Sequence, residues 1–479
     1  MTTTTENNAI SYISTDSPIV DAYFKFVRNI DEDTVYQHLD KCWEYSPILT
    51  MKLIFQTRDI LKGKGERRIF LICMHWLINT HPDFFKKTFH LSMVYGRCDD
   101  IYRPALDTDM EKEVIEFISK QLMEDLSNME LNKSISLMAK WIPSENANKS
   151  FYRKLAYELG LKTSEFRKNI VSPLRQYLNI IESKLSQQRY QDLTVDYLSK
   201  VPSIAMKRLR KALKKHSPFW DDYMEAIKSG EKKVNYKALM PHDLVKVALE
   251  EDNIVIEEQW KALINSLREM GSLENTVVMS DTSGSMHGDN AILVSLALGV
   301  LISKLTNEQW QDHVITFDSN PRYIRIPDCE EVGLHKTLEF LMDSYKFPWG
   351  GSTDISKAFK EILKISKLSK VPKDQMPKRF IIISDMQFDS VGPKTNFEDI
   401  KSKFEKAGYD MPQIVFWNVR ANTHDFPVKT DENNVMLISG FSPTILKSVL
   451  EATEINPGKL VSDVLNSPRY DLVSLALLE

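Results

Sequence analysis

The sequence has few cysteines, and none of them lies in a paired motif. The 479 residues include only Cys42, Cys73, Cys98 and Cys329, without CxxC spacing. Such cysteines are typical of reduced, buried thiols and not of a disulfide framework. The polar start lacks the basic and then apolar segments of a signal peptide, and no apolar run is long enough to span a membrane. We therefore expect a cytoplasmic or nuclear protein that is neither secreted nor bound to a membrane.

Length and composition are those of an ordinary globular protein. Hydrophobic residues make up 42% and charged residues 27% of the chain, with a net charge of −4. A chain of this length exceeds one core, which favours two or three domains. We expect a flexible tail at residues 1–16, a helical-repeat domain at 17–272, an α/β domain at 273–456 and an amphipathic tail at 457–479 that packs on one of the domains.

Strand patterns are nearly absent from the first half of the chain. Apolar residues recur there at steps of three and four, and short breakers such as His81-Pro82 separate the helical patterns. Helix pairs joined by short turns predict a HEAT-like α-solenoid, although no sequence repeat defines a period.

Strands and helices alternate in the second half. Apolar, strand-like runs begin at residues 276, 313, 323, 380, 413 and 435, and helical patterns lie between them. This alternation predicts an α/β doubly wound sheet that is covered by helices on both faces.

Oxygen-bearing side chains stand at the ends of these elements. Asp281, Ser283 and Ser285 directly follow the first strand. Thr353 opens a later helix, and Asp385 ends the fourth strand. Open α/β sheets bind ligands at the carboxyl ends of their strands, and Mg²⁺ prefers hard oxygen ligands. We expect these side chains to converge on one divalent cation; for the first motif alone, the alternative is a serine-rich turn that caps the next helix.

This pattern resembles the metal-ion-dependent adhesion site of von Willebrand factor A domains. In that family Asp-x-Ser-x-Ser precedes a Thr and an Asp on two later loops, and all five positions are present here. The resemblance implies a von Willebrand factor A-like domain that holds Mg²⁺, or another divalent cation such as Mn²⁺ or Ca²⁺. The hydroxyls would coordinate the cation, and the carboxylates would act directly or through water. It also implies an open position for an acidic residue of a protein partner.

A wider resemblance covers the chain from about residue 18 to its end. Segments at 58–67, 95–100, 140–146, 201–207, 382–389 and 414–418 resemble an uncharacterised family of eukaryotes and large DNA viruses. The order of domains is similar to that of the Ro autoantigen type, in which a helical ring binds structured or misfolded non-coding RNA. This resemblance implies structured RNA as a partner, and it rests on architecture alone.

Basic residues form a run without acids in the helical half. Basic strips can neutralise phosphates, and they can equally be solvated helix faces. The candidate RNA-binding residues are Arg167, Lys168, Arg175, Lys207, Arg208, Arg210, Lys211, Lys214 and Lys215. An earlier glycine-flanked cluster of Lys62, Lys64, Arg67 and Arg68 could hold an anion at a helix start. The Walker pattern is missing, so we do not expect a nucleotide site there.

Together these features predict a non-catalytic binding or scaffold protein. The helical domain would bind RNA or ribonucleoprotein, and the A-like domain would bind a partner through its cation. One alternative is a protein-interaction scaffold without nucleic acid. The other is a metal-dependent hydrolase, which is disfavoured because two-metal sites need more carboxylates and no histidine is spaced as a base. The oligomeric state stays open.

Overall fold

The computed structural model describes residues 1–479 except 237–238, 272, 289, 317–320, 344, 348, 351–352, 422, 452–454 and 479. It divides into two compact units. The sheet unit comprises residues 1–69 and 236–470, and the helical unit comprises residues 70–235 and 471–479. Within the described residues, each helix is too short or too polar to cross a lipid bilayer.

The chain begins with an antiparallel hairpin of β1 (Thr2–Thr4) and β2 (Ile10–Tyr12). The hairpin is bound to the rest of the sheet unit. Thr5 Oγ1 donates to the carbonyl of Phe388 at 2.8 Å, and Tyr12 and Phe426 exchange two backbone hydrogen bonds of 2.8 Å. The prediction of a flexible tail at 1–16 is therefore wrong. The polar composition hid the hairpin, because the residues that bind it to the sheet unit, Phe388 and Phe426, lie about 400 positions away in the sequence.

A six-stranded, mainly parallel sheet is the centre of the sheet unit. Its strands are β3 (Thr276–Ser280), β4 (His313–Ile315), β5 (Tyr323–Arg325), β6 (Arg379–Ser384), β7 (Gln413–Asn418) and β8 (Val435–Ser439). They lie in the order β5-β4-β3-β6-β7-β8, and β5 is antiparallel to β4 while the other pairs are parallel. The apolar pattern that begins at residue 313 predicts a strand through Phe317, but residues 317–320 lie outside the described residues.

Helices make up most of the remaining chain. Those before β3 are α1 (Pro18–Lys25), α2 (Glu32–Tyr45), α3 (Pro47–Arg58), α4 (Arg67–Thr80), α5 (Pro82–Thr88), α6 (Ser92–Tyr95), α7 (Asp99–Tyr102), α8 (Glu111–Glu130), α9 (Met138–Trp141), α10 (Lys149–Glu158), α11 (Thr163–Phe166), α12 (Ser172–Tyr177), α13 (Ile181–Ser186), α14 (Val195–Lys200), α15 (Ser203–His216), α16 (Trp220–Lys228), α17 (Pro241–Glu250) and α18 (Ile254–Met270). Those after β3 are α19 (Ala291–Ser303), α20 (Cys329–Val332), α21 (Leu334–Met342), α22 (Ile355–Leu368), α23 (Asn396–Ala407), α24 (Ile445–Glu451), α25 (Pro457–Leu465) and α26 (Asp471–Leu478).

The sheet is buried on both faces. Val277 and Met279 point to one face and Val278 to the other, and all three are at most 2% exposed. Helix α19 is apolar around its whole circumference, which is typical of a helix inside a core. The alternating pattern of the second half of the sequence therefore gives the mainly parallel, two-sided sheet that was predicted.

The two units do not follow the predicted boundary at residue 272. Helix α1 contacts β8, and α17 contacts α19 and α21, so both belong to the sheet unit. Trp260 of α18 is fully buried, and its Nε1 donates to Cys329 Sγ at 3.4 Å. The predicted C-terminal tail is also divided, because α25 contacts β8 while α26 contacts α5. Helical periodicity shows which face of a helix is buried, but not which element covers it.

The helical unit is built from contacts between helices that are near one another in sequence. Helix α8 contacts α9, α10 and α12, and α14 contacts α16. A π-helical turn, Arg167–Val171, joins α11 to α12. Pro173 lies in the first turn of α12 and has no backbone N–H to donate, which favours a break in regular α-helical bonding at this point.

All four cysteines are buried. Burial raises the pKa of the Cys98 and Cys329 thiols to about 12, so both stay protonated at pH 8. Because the thiolate is the reactive form, we expect the native protein to resist a thiol reagent at pH 8 and to react at four sites after denaturation. Titration with a chromogenic disulfide reagent checks this, and fast labelling of even one thiol in the native protein would contradict it.

Candidate functional site

The predicted cation site lies where the strand order of the sheet reverses. Strand β3 lies between β4 and β6. The chain continues from β3 to β4 on one side, whereas β6, β7 and β8 extend the sheet on the other side. Ser280 pairs with Ile383 in the parallel register, so Asp281 and Asp385 follow adjacent strands at the same edge. Crevices of this kind are where open α/β sheets bind ligands.

The loop after β3 is held by its own side chains. Asp281 is 1% exposed, and its Oδ1 accepts a hydrogen bond of 2.8 Å from the backbone N–H of Ser283. Its Oδ2 accepts a hydrogen bond of 2.6 Å from the hydroxyl of Ser384. The hydroxyl oxygens of Ser283 and Ser285 lie 3.0 Å apart. One carboxylate and two hydroxyls are therefore fixed in a single short loop.

Asp385 is fully buried and only partly satisfied. Its Oδ1 accepts from the N–H of Gln387 at 3.3 Å, whereas its Oδ2 has no hydrogen-bond partner among the described residues. The Nη1 of Arg420 lies 3.7 Å from that Oδ2 and donates instead to the carbonyl of Ser285. A buried carboxylate oxygen without a hydrogen bond is costly, and a cation or a proton bound to it would lower that cost.

The two carboxylates affect each other electrostatically. Burial raises the pKa of Asp281, and the charge of Asp385 raises it further, against the hydrogen bonds from Ser283 and Ser384. A cation placed between the carboxylates would oppose both of these effects, because it stabilises the charged form of each.

Thr353 contacts the loop that carries Asp385. It is 2% exposed, its hydroxyl donates to the carbonyl of Gln387, and its Oγ1 lies 3.2 Å from Asp389 Oδ1. The Nδ2 of Asn7, from the N-terminal hairpin, donates to the same Oγ1 at 2.9 Å. Thr353 thus lies beside this loop, and its hydroxyl is already hydrogen-bonded. Gly351 and Ser352, which directly precede it, lie outside the described residues.

Three residues of this site were missed from the sequence. Ser384 binds Asp281, Arg420 contacts Asp385, and Asn7 binds Thr353. Arg420 follows the carboxyl end of β7, so the same strand-end rule that found Asp385 points to it as well. No local signal marks Asn7 in the threonine-rich start of the chain.

The donor set is made of hard oxygens. No group of three or more His, Cys, Asp or Glu side chains in the described part of the chain is placed to hold a metal ion. A cation at this edge would therefore depend on the serine hydroxyls as well as on the two carboxylates. Mg²⁺ accepts such a set, because it keeps several water ligands.

The basic candidates of the helical unit fall into two groups. Arg167 and Lys168 are exposed on the π-helical turn. Arg175, in contrast, is occupied within the fold, because its guanidinium donates to the carbonyls of Ala139 at 2.8 Å and Ile142 at 2.6 Å. Its predicted role in RNA binding is therefore the least supported of the set.

The other basic candidates lie on α15. Lys211, Lys214 and Lys215 are exposed, and Lys207 and Arg210 are half-buried. The remaining one, Arg208, is exposed and donates to Glu182. Lys211, Lys214 and Lys215 are three and four positions apart on the helix, so these exposed lysines form a basic stripe.

Lys64 does not lie at an anion site. It is fully buried in the sheet unit, and its Nζ donates to the carbonyl of Tyr23, to the carbonyl of Phe26 at 3.1 Å and to Ser439 Oγ at 2.7 Å. The interpretation of this lysine as an anion ligand is wrong. It joins the end of α1 to the end of β8.

Two family models match the chain. Residues 275–467 match a domain of unknown function (DUF7788), and residues 5–90 and 153–273 match a second domain of unknown function (DUF2828). The uncharacterised protein L728 of Acanthamoeba polyphaga mimivirus is 28% identical over 510 aligned residues, which cover 96% of this chain and 86% of the viral protein. These matches agree with the expected resemblance to an uncharacterised family that includes large DNA viruses.

Among solved structures, the chain is similar to the Ro (RSR) protein of Deinococcus radiodurans. The sequence identity is 10% and the TM-score is 0.47, over 94% of this chain and 99% of that one. A likeness this distant carries no argument about ligands.

Proposed function

We propose that the sheet unit is a von Willebrand factor A-like module that binds a protein partner through one divalent cation. The observation that carries the proposal is the pair of buried carboxylates beyond β3 and β6. Asp385 Oδ2 has no hydrogen-bond partner among the described residues, and the Ser283 and Ser285 hydroxyls lie beside Asp281. A buried pair of like charges is unfavourable unless a cation or a proton compensates it.

In this proposal Mg²⁺, or Mn²⁺ or Ca²⁺, is held by Asp281, Ser283, Ser285, Thr353 and Asp385, directly or through water. Three of these five ligands are neutral hydroxyls, so the ion keeps enough positive charge to accept a further anionic oxygen. The carboxylate of an Asp or Glu from a partner fits that position. Thr353 would exchange part of its present hydrogen bonding for the ion.

The proposed role is non-catalytic. Two carboxylates are few for a two-metal hydrolase. The His287 ring lies 5.5 Å from the ring of Trp349, an aromatic contact that needs no catalytic role. Metal-dependent hydrolysis remains the alternative. Phosphate release or nucleic-acid cleavage that follows the purified protein and is lost in Asp385→Ala would favour it.

Capture experiments test the docking role. We expect the immobilised full-length chain to retain a set of proteins from nuclease-treated lysate in Mg²⁺, and to lose them in EDTA or after Asp281→Ala. Retention of the same proteins under all three conditions would contradict a cation-mediated contact.

A second candidate function, RNA binding, belongs to the helical unit. The exposed basic stripe on α15 and the exposed Arg167 and Lys168 support it. A HEAT-like arrangement of the helices is part of this proposal, and the contacts of α8 with α10 and with α12 support it. Without RNA binding, the unit would be a protein-interaction scaffold, and its partners would survive nuclease treatment.

Salt dependence separates these two roles. We expect structured RNA to bind with an affinity that falls steeply as salt rises, because contacts with phosphates release counterions. The triple variant Lys211→Gln, Lys214→Gln, Lys215→Gln should reduce the slope of log K against log salt by about 3. The matched control neutralises three exposed lysines elsewhere in the unit, Lys112, Lys120 and Lys133. Filter binding measures the salt slope of the variant and of the control. Binding that does not respond to salt would contradict the proposed RNA binding.

A further inference from the structure

A cleft of ≈ 570 Å³ lies in the helical unit, beside α9 and the start of α15. Its volume is in the range of sites for small molecules. Its wall includes one tryptophan, four basic side chains and one carboxylate, namely Trp141, Arg97, Lys140, Arg175, Arg208 and Glu182. The wall therefore combines an aromatic ring with more basic than acidic side chains.

The backbone around Trp141 is fixed from several sides. The hydroxyl of Tyr102 donates to the carbonyl of Trp141 at 3.1 Å. Arg175 donates to the carbonyls of Ala139 and Ile142, on either side of that residue. The backbone that carries the tryptophan is therefore ordered before any ligand arrives, which lowers the ordering cost of binding.

Two cationic side chains lie close to the indole ring of Trp141. The Arg97 guanidinium carbon lies 4.2 Å from the ring centroid, and Lys140 Nζ lies 5.5 Å from it. Arg97 also pairs with Asp99 at 3.0 Å, so its plane is held over the ring. The N-terminal turn of α15 opens on the same cleft through Ile204, and helix N-termini attract anions.

One acceptor in the cleft is unused. Arg208 donates to Oε1 of Glu182, while Oε2 of Glu182 is buried without a hydrogen-bond partner among the residues that the structure describes. A buried carboxylate oxygen of this kind is suited to a ligand hydroxyl or amine.

We propose that this cleft binds a nucleotide. The base stacks on the Arg97–Trp141 pair, the phosphate binds Lys140 and Arg208, and a sugar hydroxyl or base amine donates to Glu182. Stacking of bases on aromatic and guanidinium planes, with cations at the phosphate, is the usual chemistry of such sites. A free nucleotide and a nucleotide at an RNA end offer the same groups, so the inference stands whether or not the stripe on α15 binds RNA.

Two fluorescent probes test the cleft with the full-length chain. One is an adenine mononucleotide labelled on its ribose, and the other is a short, 5′-phosphorylated, single-stranded RNA labelled at its 3′ end. We expect at least one probe to bind, with a loss of about tenfold or more in both Lys140→Glu and Trp141→Leu. Lys133→Glu, an exposed lysine that does not line the cleft, is the matched control and should bind as the wild type does.

The pattern of results identifies the source of the nucleotide. Binding of the mononucleotide would identify a free nucleotide as the ligand of the cleft. Binding of the RNA probe alone would identify an RNA end as the ligand. The triple glutamine variant of α15 should leave mononucleotide binding unchanged, which separates this cleft from the stripe. If neither probe binds, or if Lys140→Glu binds as the control does, the proposal is overturned. Lys140→Glu keeps the test valid even if Trp141→Leu misfolds, because Lys140 is only partly buried.

Discussion

Replacing Asp385 with alanine is expected to abolish divalent-cation binding by the sheet unit, with a loss of affinity of about 100-fold or more. Asp385 is fully buried, and it supplies the one carboxylate oxygen of the site that has no hydrogen-bond partner among the described residues. Without it, the ion would keep one carboxylate and the serine hydroxyls, which is too little negative charge to offset the loss of its water ligands.

Thermal unfolding of the full-length chain measures this loss. At free Mn²⁺ about 100 times its dissociation constant, binding to the folded state stabilises the wild type by about 2.7 kcal/mol. We expect that rise in the melting temperature to disappear in Asp385→Ala. Asp374→Ala is the matched control, because Asp374 is exposed on the 3-10 turn Lys373–Gln375 that precedes β6. An equal rise in all three proteins would show that the ion binds elsewhere.

Replacing Lys64 with methionine is expected to destabilise the sheet unit by about 2–4 kcal/mol, because buried acceptors lose a hydrogen-bond donor. The change leaves the carbonyls of Tyr23 and Phe26 and the hydroxyl of Ser439 without this donor inside the protein. For a unit of this size the melting temperature should fall by roughly 10 °C. Lys62→Met is the matched control, because Lys62 is exposed two residues earlier, and it should change stability by less than about 0.5 kcal/mol.

The Lys64 effect should depend on pH. Burial lowers the pKa of Lys64 to about 7 in the folded protein, against 10.5 as its ordinary value. Between these values the unfolded chain holds a proton that the folded chain has released, so stability rises with pH. The free-energy difference between wild type and Lys64→Met should therefore grow from pH 7 to pH 10, by up to about 1.4 kcal/mol per pH unit. Urea unfolding at several pH values checks this, and a constant difference would contradict a buried, titrating lysine.

The sequence predicted the site best where chemistry and strand order coincide. Asp281 and Asp385 each follow an apolar run, and the structure brings them to one edge because the two strands are parallel neighbours. Ser283 and Ser285 lie in the same loop as Asp281, so their proximity follows from chain connectivity. Thr353 reaches that edge from a separate loop and contacts the residues after Asp385, so its part in cation binding stays a prediction.

Other features depend on contacts that no local pattern encodes. Lys64 has the flanking glycines of an anion loop, yet the fold surrounds its ammonium group with carbonyls. Asn7 belongs to a segment whose composition is typical of a disordered tail, and its partner Thr353 is 346 residues away. The helical patterns of α17 and α18 gave the right secondary structure, but not the surface that each helix covers.

The oxygens beyond β3 and β6 are proposed to hold a divalent cation. Crystals soaked in Mn²⁺ and measured at the manganese absorption edge test it most directly. We expect one anomalous peak within about 2.0–2.3 Å of oxygen ligands from Ser283 and Ser285, with Asp281 and Asp385 in contact directly or through water. A soaked crystal with no anomalous peak at the carboxyl ends of β3 and β6, and with Arg420 still beside Asp385, would rule out this cation site.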